Sequence, residues 1–363
     1  MRASVDAAAP CVVALLVACA PRPPADPSTS PGLAMTPTHR EIRVPAAGVA
    51  LAGTLSLPPG ASSATPAPGV LLVHGSGPNS RHQASRGQLG MGFGFEVATF
   101  DELTEGLLGR GIAVLRYDKR SCGPFNGCAD NGYPPPPPDL TADVFVADAA
   151  TMLDALGEAP EVDGSRCVVV GHSQGATFVP LLAEARPELA GGVMLAAAHR
   201  PIDALLGAQR DRVVELMNEG GAAPETVAEA TAALDGAIAQ LAGLRAGTLP
   251  EDTPVLGAPA LFWRSMIAVG ERAEAAARTV STPLLLVGGG YDWNVPLAEL
   301  EAWEAALGGA AGPRDFRRFR GLTHALNWID QPDRRLLTPA DIGAHVYAPL
   351  LEAVAAFVRS PTR

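Results

Sequence analysis

Cys167-Val168-Val169-Val170-Gly171-His172-Ser173-Gln174-Gly175-Ala176-Thr177-Phe178-Val179-Pro180-Leu181-Leu182 decides the fold. The unbroken apolar run up to Val170 reads as a strand covered on both faces. The run from Ala176 onward reads as a helix. Only five residues, Gly171 to Gly175, separate them. A turn that tight leaves no room for side chains at its flanks, and glycine stands at both flanks. Ser173 therefore sits at the apex, at the carboxyl end of a buried strand with a helix N-terminus beneath it.

Other apolar runs alternate with helical patterns on both sides of this unit. Val70-Leu71-Leu72-Val73 and Ile112-Ala113-Val114-Leu115-Arg116-Tyr117 read as strands, with a helix through Phe100 to Leu108 between them. Asp139 to Leu156 reads as a helix. Gly192-Val193-Met194-Leu195-Ala196, Pro283-Leu284-Leu285-Leu286-Val287 and Asp315-Phe316-Arg317-Arg318-Phe319 read as further strands. The final helix places Leu350, Val354, Phe357 and Val358 on one face. Glu41-Ile42-Arg43-Val44 and the alternating run Ala50 to Leu57 read as a half-exposed edge hairpin. Strands alternating with helices predict an α/β fold with a mostly parallel central sheet flanked by helices.

Residues 200–280 interrupt this alternation. Ile202, Leu205, Leu206, Val213 and Met217 mark one helix, and Leu234, Ile238, Leu241 and Leu244 mark another, with no strand signal. The segment reads as a helical cap inserted between two parts of a core, residues 39–199 and 281–363. Pro134 to Pro138 reads as a stiff surface tract.

The chain of 363 residues carries a net charge of -11 and no long basic run, which argues against nucleic acid or an anionic membrane surface as a partner. Residues 1–19 read as an export signal, because Ala7 to Ala20 is apolar apart from Pro10 and short for a membrane span. Leu16-Val17-Ala18-Cys19 resembles the lipobox of bacterial lipoproteins, in which the cysteine is acylated. Ala18-Cys19-Ala20 fits an ordinary small-residue cleavage site as well. Residues 20–38, rich in Pro, Ser and Thr, read as a flexible tether to a cell envelope. Export permits disulfides, and Cys122 and Cys128 flank a short loop that a disulfide could close; Cys167 reads as a small core residue. No Cys/His spacing points to a metal.

A serine hydroxyl becomes a nucleophile when an imidazole takes its proton and a carboxylate holds that imidazole in one tautomer. In this kind of sheet the chain order is Ser, then Asp or Glu, then His. Asp292 follows the strand ending Val287-Gly288-Gly289-Gly290, and His324 lies in Gly321-Leu322-Thr323-His324 beyond the last strand. Ser173, Asp292 and His324 are thus the candidate catalytic residues. An oxyanion needs two fixed N–H donors. The candidates are the amides of Gln174 and of Ser76, with Gly77 as the alternative to Ser76, in the loop His74-Gly75-Ser76-Gly77-Pro78. His74 reads as a structural loop residue, and Asp118, among basic neighbours, as a structural ion-pair partner. His199 follows a strand at the entrance to the insertion, where it lines the substrate pocket or acts as a hinge. Trp263, Trp293 and Trp328 are candidates for contact with an apolar group and equally for the core.

Taken together these segments resemble a bacterial carboxylesterase of the α/β-hydrolase superfamily, near the serine-aminopeptidase-like hydrolases, over residues 41–358. The resemblance rests on Leu72 to Pro78, Leu115-Arg116-Tyr117-Asp118-Lys119-Arg120, Gly171 to Gly175, Gly290-Tyr291-Asp292-Trp293-Asn294-Val295-Pro296 and Gly321 to His324. It implies an α/β-hydrolase fold and a Ser173-Asp292-His324 triad but does not fix the substrate. The triad chemistry itself points to hydrolysis of a small-molecule carboxylic ester with no cofactor, and a cap that limits the pocket points to short to medium acyl chains. Aminopeptidase, thioesterase and acyltransferase chemistry would use the same triad. A non-catalytic surface binding protein would keep the fold. A peptidase needs a carboxylate for the substrate ammonium, and Glu215, Glu219, Glu225, Glu229 and Asp235 are available. One departure stands out: relatives continue Asp-Lys-Arg with Gly-x-Gly, whereas this chain has Ser121-Cys122-Gly123 and an insertion to Pro138.

Overall fold

The computed structural model describes residues 36–88, 91–123, 128, 131–137, 139–330 and 342–361. The export signal with Cys19, and the tether as far as residue 35, lie outside the described residues.

Strands β1 (Thr38–Ala46) and β2 (Val49–Leu57) form an antiparallel hairpin, followed by β3 (Ala67–Val73). A second hairpin, β4 (Ala84–Gln88) and β5 (Met91–Ala98), leads into α1 (Thr99–Leu108) and β6 (Ala113–Tyr117). Then come α2 (Ala142–Gly157), β7 (Val162–His172), α3 (Gln174–Ala185) and β8 (Gly191–Leu195). The insertion holds α4 (Ile202–Glu219), α5 (Pro224–Arg245), the two-residue strands β9 (Pro254–Val255) and β10 (Ala258–Pro259), and α6 (Ala260–Thr279). The chain returns through β11 (Leu284–Gly289), α7 (Leu297–Ala306), β12 (Arg314–Phe319), the pair β13 (Asn327–Ile329) and β14 (Ile342–Val346), and α8 (Ala348–Arg359).

Eight strands make the main sheet in the order β1-β2-β6-β3-β7-β8-β11-β12. From β6 to β12 all neighbours are parallel; β1 and β2 join antiparallel. The apolar runs are continuous because both faces are covered. Leu71, Val169, Met194 and Leu286 point to one face, under α2, α3, α6 and α7. Their neighbours Val70, Leu72, Val168, Val170, Val193 and Leu285 point to the other, under α1 and α8. The period of two thus sorts one run into two cores.

The order also fixes where a ligand goes. After β3 the chain first adds β6 on one side, then β7 on the other. The crevice outside the carboxyl ends of β3 and β7 is the topological switch point, where open α/β sheets bind ligands.

Several expectations need correction. The run to Leu57 is not half-exposed: β2 is buried from Leu51 through Leu57, because it is an inner strand between β1 and β6 whose Leu51, Leu55 and Leu57 join the core with Met152 and Leu156 of α2. The helix expected from Asp139 begins at Ala142. β1 starts at Thr38, the last residue of the segment read as a tether. Residues 200–280 contain the β9–β10 hairpin, whose strands are too short to show a period. Nor is that segment one separate layer. Leu206, Ala237, Leu241 and Leu244 form a small core of their own, but Val269, Ala273, Ala276 and Ala277 of α6 are buried in the main core. In agreement with the sequence, Cys122 and Cys128 form a disulfide, and Cys167 is free and buried. Pro134 to Pro137 are exposed and without regular structure, and Pro138 lies outside the described residues.

Candidate active site

At the end of β7 the backbone turns so sharply that Ser173 takes φ 54° and ψ −118°. A serine with positive φ is strained by roughly 1–3 kcal/mol, and such strain concentrates at functional sites. The flanking glycines are dictated by space. A Cβ on Gly171 would lie 2.3 Å from the carbonyl oxygen of Gly175, and one on Gly175 would lie 2.3 Å from that of Val73. The Ser173 amide donates to the Leu195 carbonyl at 2.8 Å, which ties the apex to β8. The Gln174 amide opens α3, and amides of a first helical turn have no acceptor within the helix.

Asp292 lies in the loop after β11 and is buried. Its Oδ1 accepts the amides of Asn294 at 2.9 Å and Val295 at 2.8 Å, and its Oδ2 stands 2.8 Å from Nδ1 of His324. A fixed carboxylate on Nδ1 makes that nitrogen the N–H and leaves Nε2 as the basic one. His324 sits in a tight turn closed by the Thr323 amide on the Asn327 carbonyl at 3.0 Å.

Ser173 and His324 line one cavity of about 710 Å³. Ser76, Gln174, His199 and Trp263 line it too. Its apolar wall comes from the insertion, through Ile202, Leu205, Leu206, Trp263, Met266 and Ile267. His199 has its Nε2 3.3 Å from Glu274 and its ring edge on Trp303. Its amide and that of Arg200 both donate to Glu299 at 2.9 Å, which fixes the entry into α4. Trp293, expected near a substrate, packs instead on Tyr291 and beneath Arg212, outside the residues lining this cavity. Trp328 stacks on Tyr347. None of the carboxylates considered for an ammonium group lines the cavity; Glu271 and Glu274 do. Among the described residues no cluster of three or more His, Cys, Asp or Glu is arranged to hold a metal ion.

Three residues that the sequence did not single out hold the site together. Gln83 takes the Gly75 amide on its Oε1 at 2.9 Å and donates from Nε2 to Nδ1 of His172 at 2.8 Å. His172, next to the serine, donates from Nε2 to the His324 carbonyl at 2.7 Å. Burial, and next the electrostatic influence of the neighbouring His324, push His172 down to about 3, so it stays neutral. Lys119 is buried and donates to the Gly75 carbonyl at 2.8 Å and to Gln174 Oε1 at 2.7 Å, with its ammonium over the Phe145 ring. Burial pushes it down to about 7. Asp118 beside it is held by Arg81 through both oxygens, each 3.0 Å from a guanidinium nitrogen.

The model of the alpha/beta hydrolase family matches residues 70–337. The chain belongs to the alpha/beta hydrolase family. Esterase EstD of Thermotoga maritima is 33% identical over 261 residues, which is 71% of this chain and 54% of that protein, so the chain spans about half the length of this relative. Est1E from Butyrivibrio proteoclasticus has the same hydrolase fold, with a TM-score of 0.52 at 16% identity, covering 88% of this chain and 97% of its own. The esterase domain of a Rhodothermus marinus protein superposes with a TM-score of 0.50 at 18% identity, covering 90% and 98%.

Proposed function

We propose that this alpha/beta hydrolase cleaves carboxylic esters through an acyl-enzyme. The observation that carries the proposal is the buried Asp292–His324 pair, 2.8 Å apart, whose imidazole lines the same cavity as Ser173 on its strained turn. Ser173 Oγ attacks the ester carbonyl and His324 Nε2 takes its proton. Asp292 holds the imidazole and stabilises its cation. The amides of Gln174 and Ser76 receive the oxyanion. His324 then protonates the leaving alcohol, and water, activated by the same nitrogen, releases the acid.

The resemblance to an esterase over 261 residues supports an ester over a peptide substrate. So does the cavity. Of the two carboxylates that face it, Glu274 is already engaged by Arg278 and His199. Its volume of about 710 Å³ and apolar wall favour a medium acyl chain or an aryl group over acetate alone. Export and acylation of Cys19 are part of the same proposal and rest on the leader sequence.

A panel of nitrophenyl esters from acetate to decanoate, run beside aminoacyl naphthylamides, tests this reading. Ester turnover should exceed amide turnover, peak beyond acetate, and fall roughly 10³- to 10⁴-fold in Asp292→Asn. Amide turnover above ester turnover would overturn it.

A further inference from the structure

Lys119 stands out as a buried ammonium without a carboxylate. Its flanking charges are taken: Asp118 pairs with Arg81, and Arg120 with Asp148. Among the described residues no carboxylate pairs with Lys119 itself, and its lowered affinity for a proton has burial as its one cause. A buried charge that keeps no counterion is costly. The fold nevertheless anchors the segment on both sides of it, by those two ion pairs and by the Cys122–Cys128 disulfide a few residues on.

What Lys119 touches explains its retention. One hydrogen bond goes to the Gly75 carbonyl, which shares a peptide unit with the Ser76 amide. In a trans peptide the C=O and N–H point in opposite directions, so a cation drawing on the carbonyl sets the direction of that amide and polarises it. Asn79 Nδ2 reinforces the grip at 3.0 Å, and the Gly75 amide is fixed by Gln83. The other hydrogen bond goes to the side chain of Gln174, whose amide is the second donor. One ammonium thus holds both arms of the anion site.

We propose that Lys119 is a positioning residue of the oxyanion site, aligning the Ser76 and Gln174 amides and supplying the positive charge that the tetrahedral intermediate lacks. When Ser173 Oγ bonds to the carbonyl carbon, the π pair moves onto oxygen, and that negative charge becomes the missing counterion. The effect is then larger on the intermediate than on the bound ester, so it falls on kcat rather than on KM. This inference rests on the ester-hydrolase reading.

Lys119→Met keeps an unbranched side chain one atom shorter, removes the charge and suits a buried site. Folding is checked by circular dichroism and thermal melting. The expected result is a kcat loss of about 10- to 100-fold with KM within about twofold. Inhibition by an alkyl trifluoromethyl ketone, whose hemiketal carries an oxyanion, should weaken by a comparable factor. Where Lys119→Met does not fold, the same two readings on Lys119→Gln decide. A folded variant with unchanged kcat and unchanged ketone affinity, or a rise in KM alone, overturns the inference. Ser173→Ala in the same assay separates the two proposals. Turnover surviving there defeats the ester-hydrolase reading, whereas turnover lost there but intact in Lys119→Met defeats the Lys119 inference alone.

Discussion

His172 Nε2 donates to the carbonyl oxygen of His324 at 2.7 Å, and the two rings lie 4.7 Å apart. The turn that carries the serine is therefore bolted to the turn that carries the imidazole. His172→Phe keeps a planar aromatic ring and removes this bond. A misplacement of about 1 Å at a catalytic group costs on the order of 10²-fold. Steady-state kinetics on His172→Phe should show kcat lowered by about 10- to 100-fold with KM little changed. An unaltered kcat would show that the bolt has no kinetic role.

Two buried histidines make acid stability a second test. His74, enclosed by Phe100 and Tyr117, is pushed down to about 3 by burial and next by the charge of Lys119. His172 is pushed down to about 3 as well. Once unfolded, both take up a proton near pH 6.5. Below that pH the unfolded state binds more protons, so stability is full above it and is lost as the pH falls toward 3. Each group contributes a slope of up to about 1.4 kcal/mol per pH unit. Urea midpoints should fall between about pH 7 and pH 5, and His74→Phe should flatten that fall. A midpoint independent of pH across this window would contradict the buried neutral state.

Leu256 is the large apolar side chain left most exposed among the described residues, at 48%, and it takes φ 47° at the tip of the β9–β10 hairpin while lining the cavity. A leucine there is strained by roughly 1–2 kcal/mol, and asparagine tolerates that conformation. Leu256→Asn should raise the melting temperature, with a gain of about 1 kcal/mol, while KM for decanoate esters rises about fivefold. A variant both less stable and unchanged in KM would contradict a role at the mouth of the acyl site.

The leader carries its own prediction. Radiolabelled palmitate should enter the wild-type chain in a bacterial host and be absent from Cys19→Ala. Label retained in the variant would remove Cys19 as the acylation site.

How much of this was legible in the sequence follows from the range of the contacts. Val70 to Val73, Cys167 to Val170 and Leu284 to Val287 announce themselves because layers above and below leave no polar position in them. The family and the fold were readable from these runs and from the turn between Gly171 and Gly175. The convergence of Asp292 on His324 could be expected from chain order alone, since both follow strands at one edge of the sheet. Gln83 and Lys119 could not. Their partners Gly75, His172 and Gln174 lie in other segments, and no local pattern marks a side chain that ties two loops. Burial of β2 was hidden for a related reason, because its alternation cannot reveal that it is an inner strand whose leucines join the core under α2. Trp293 follows Asp292 directly, yet adjacent side chains diverge, and Trp293 turns to Tyr291 and Arg212.

The central claim is that Ser173 is the nucleophile. Treating the purified protein with a fluorophosphonate and locating the adduct by peptide mass spectrometry tests it most directly. The account predicts one adduct, on the peptide containing Ser173, with labelling abolished in Ser173→Ala and strongly slowed in His324→Ala. An adduct on another residue, or labelling that persists in Ser173→Ala, would contradict it.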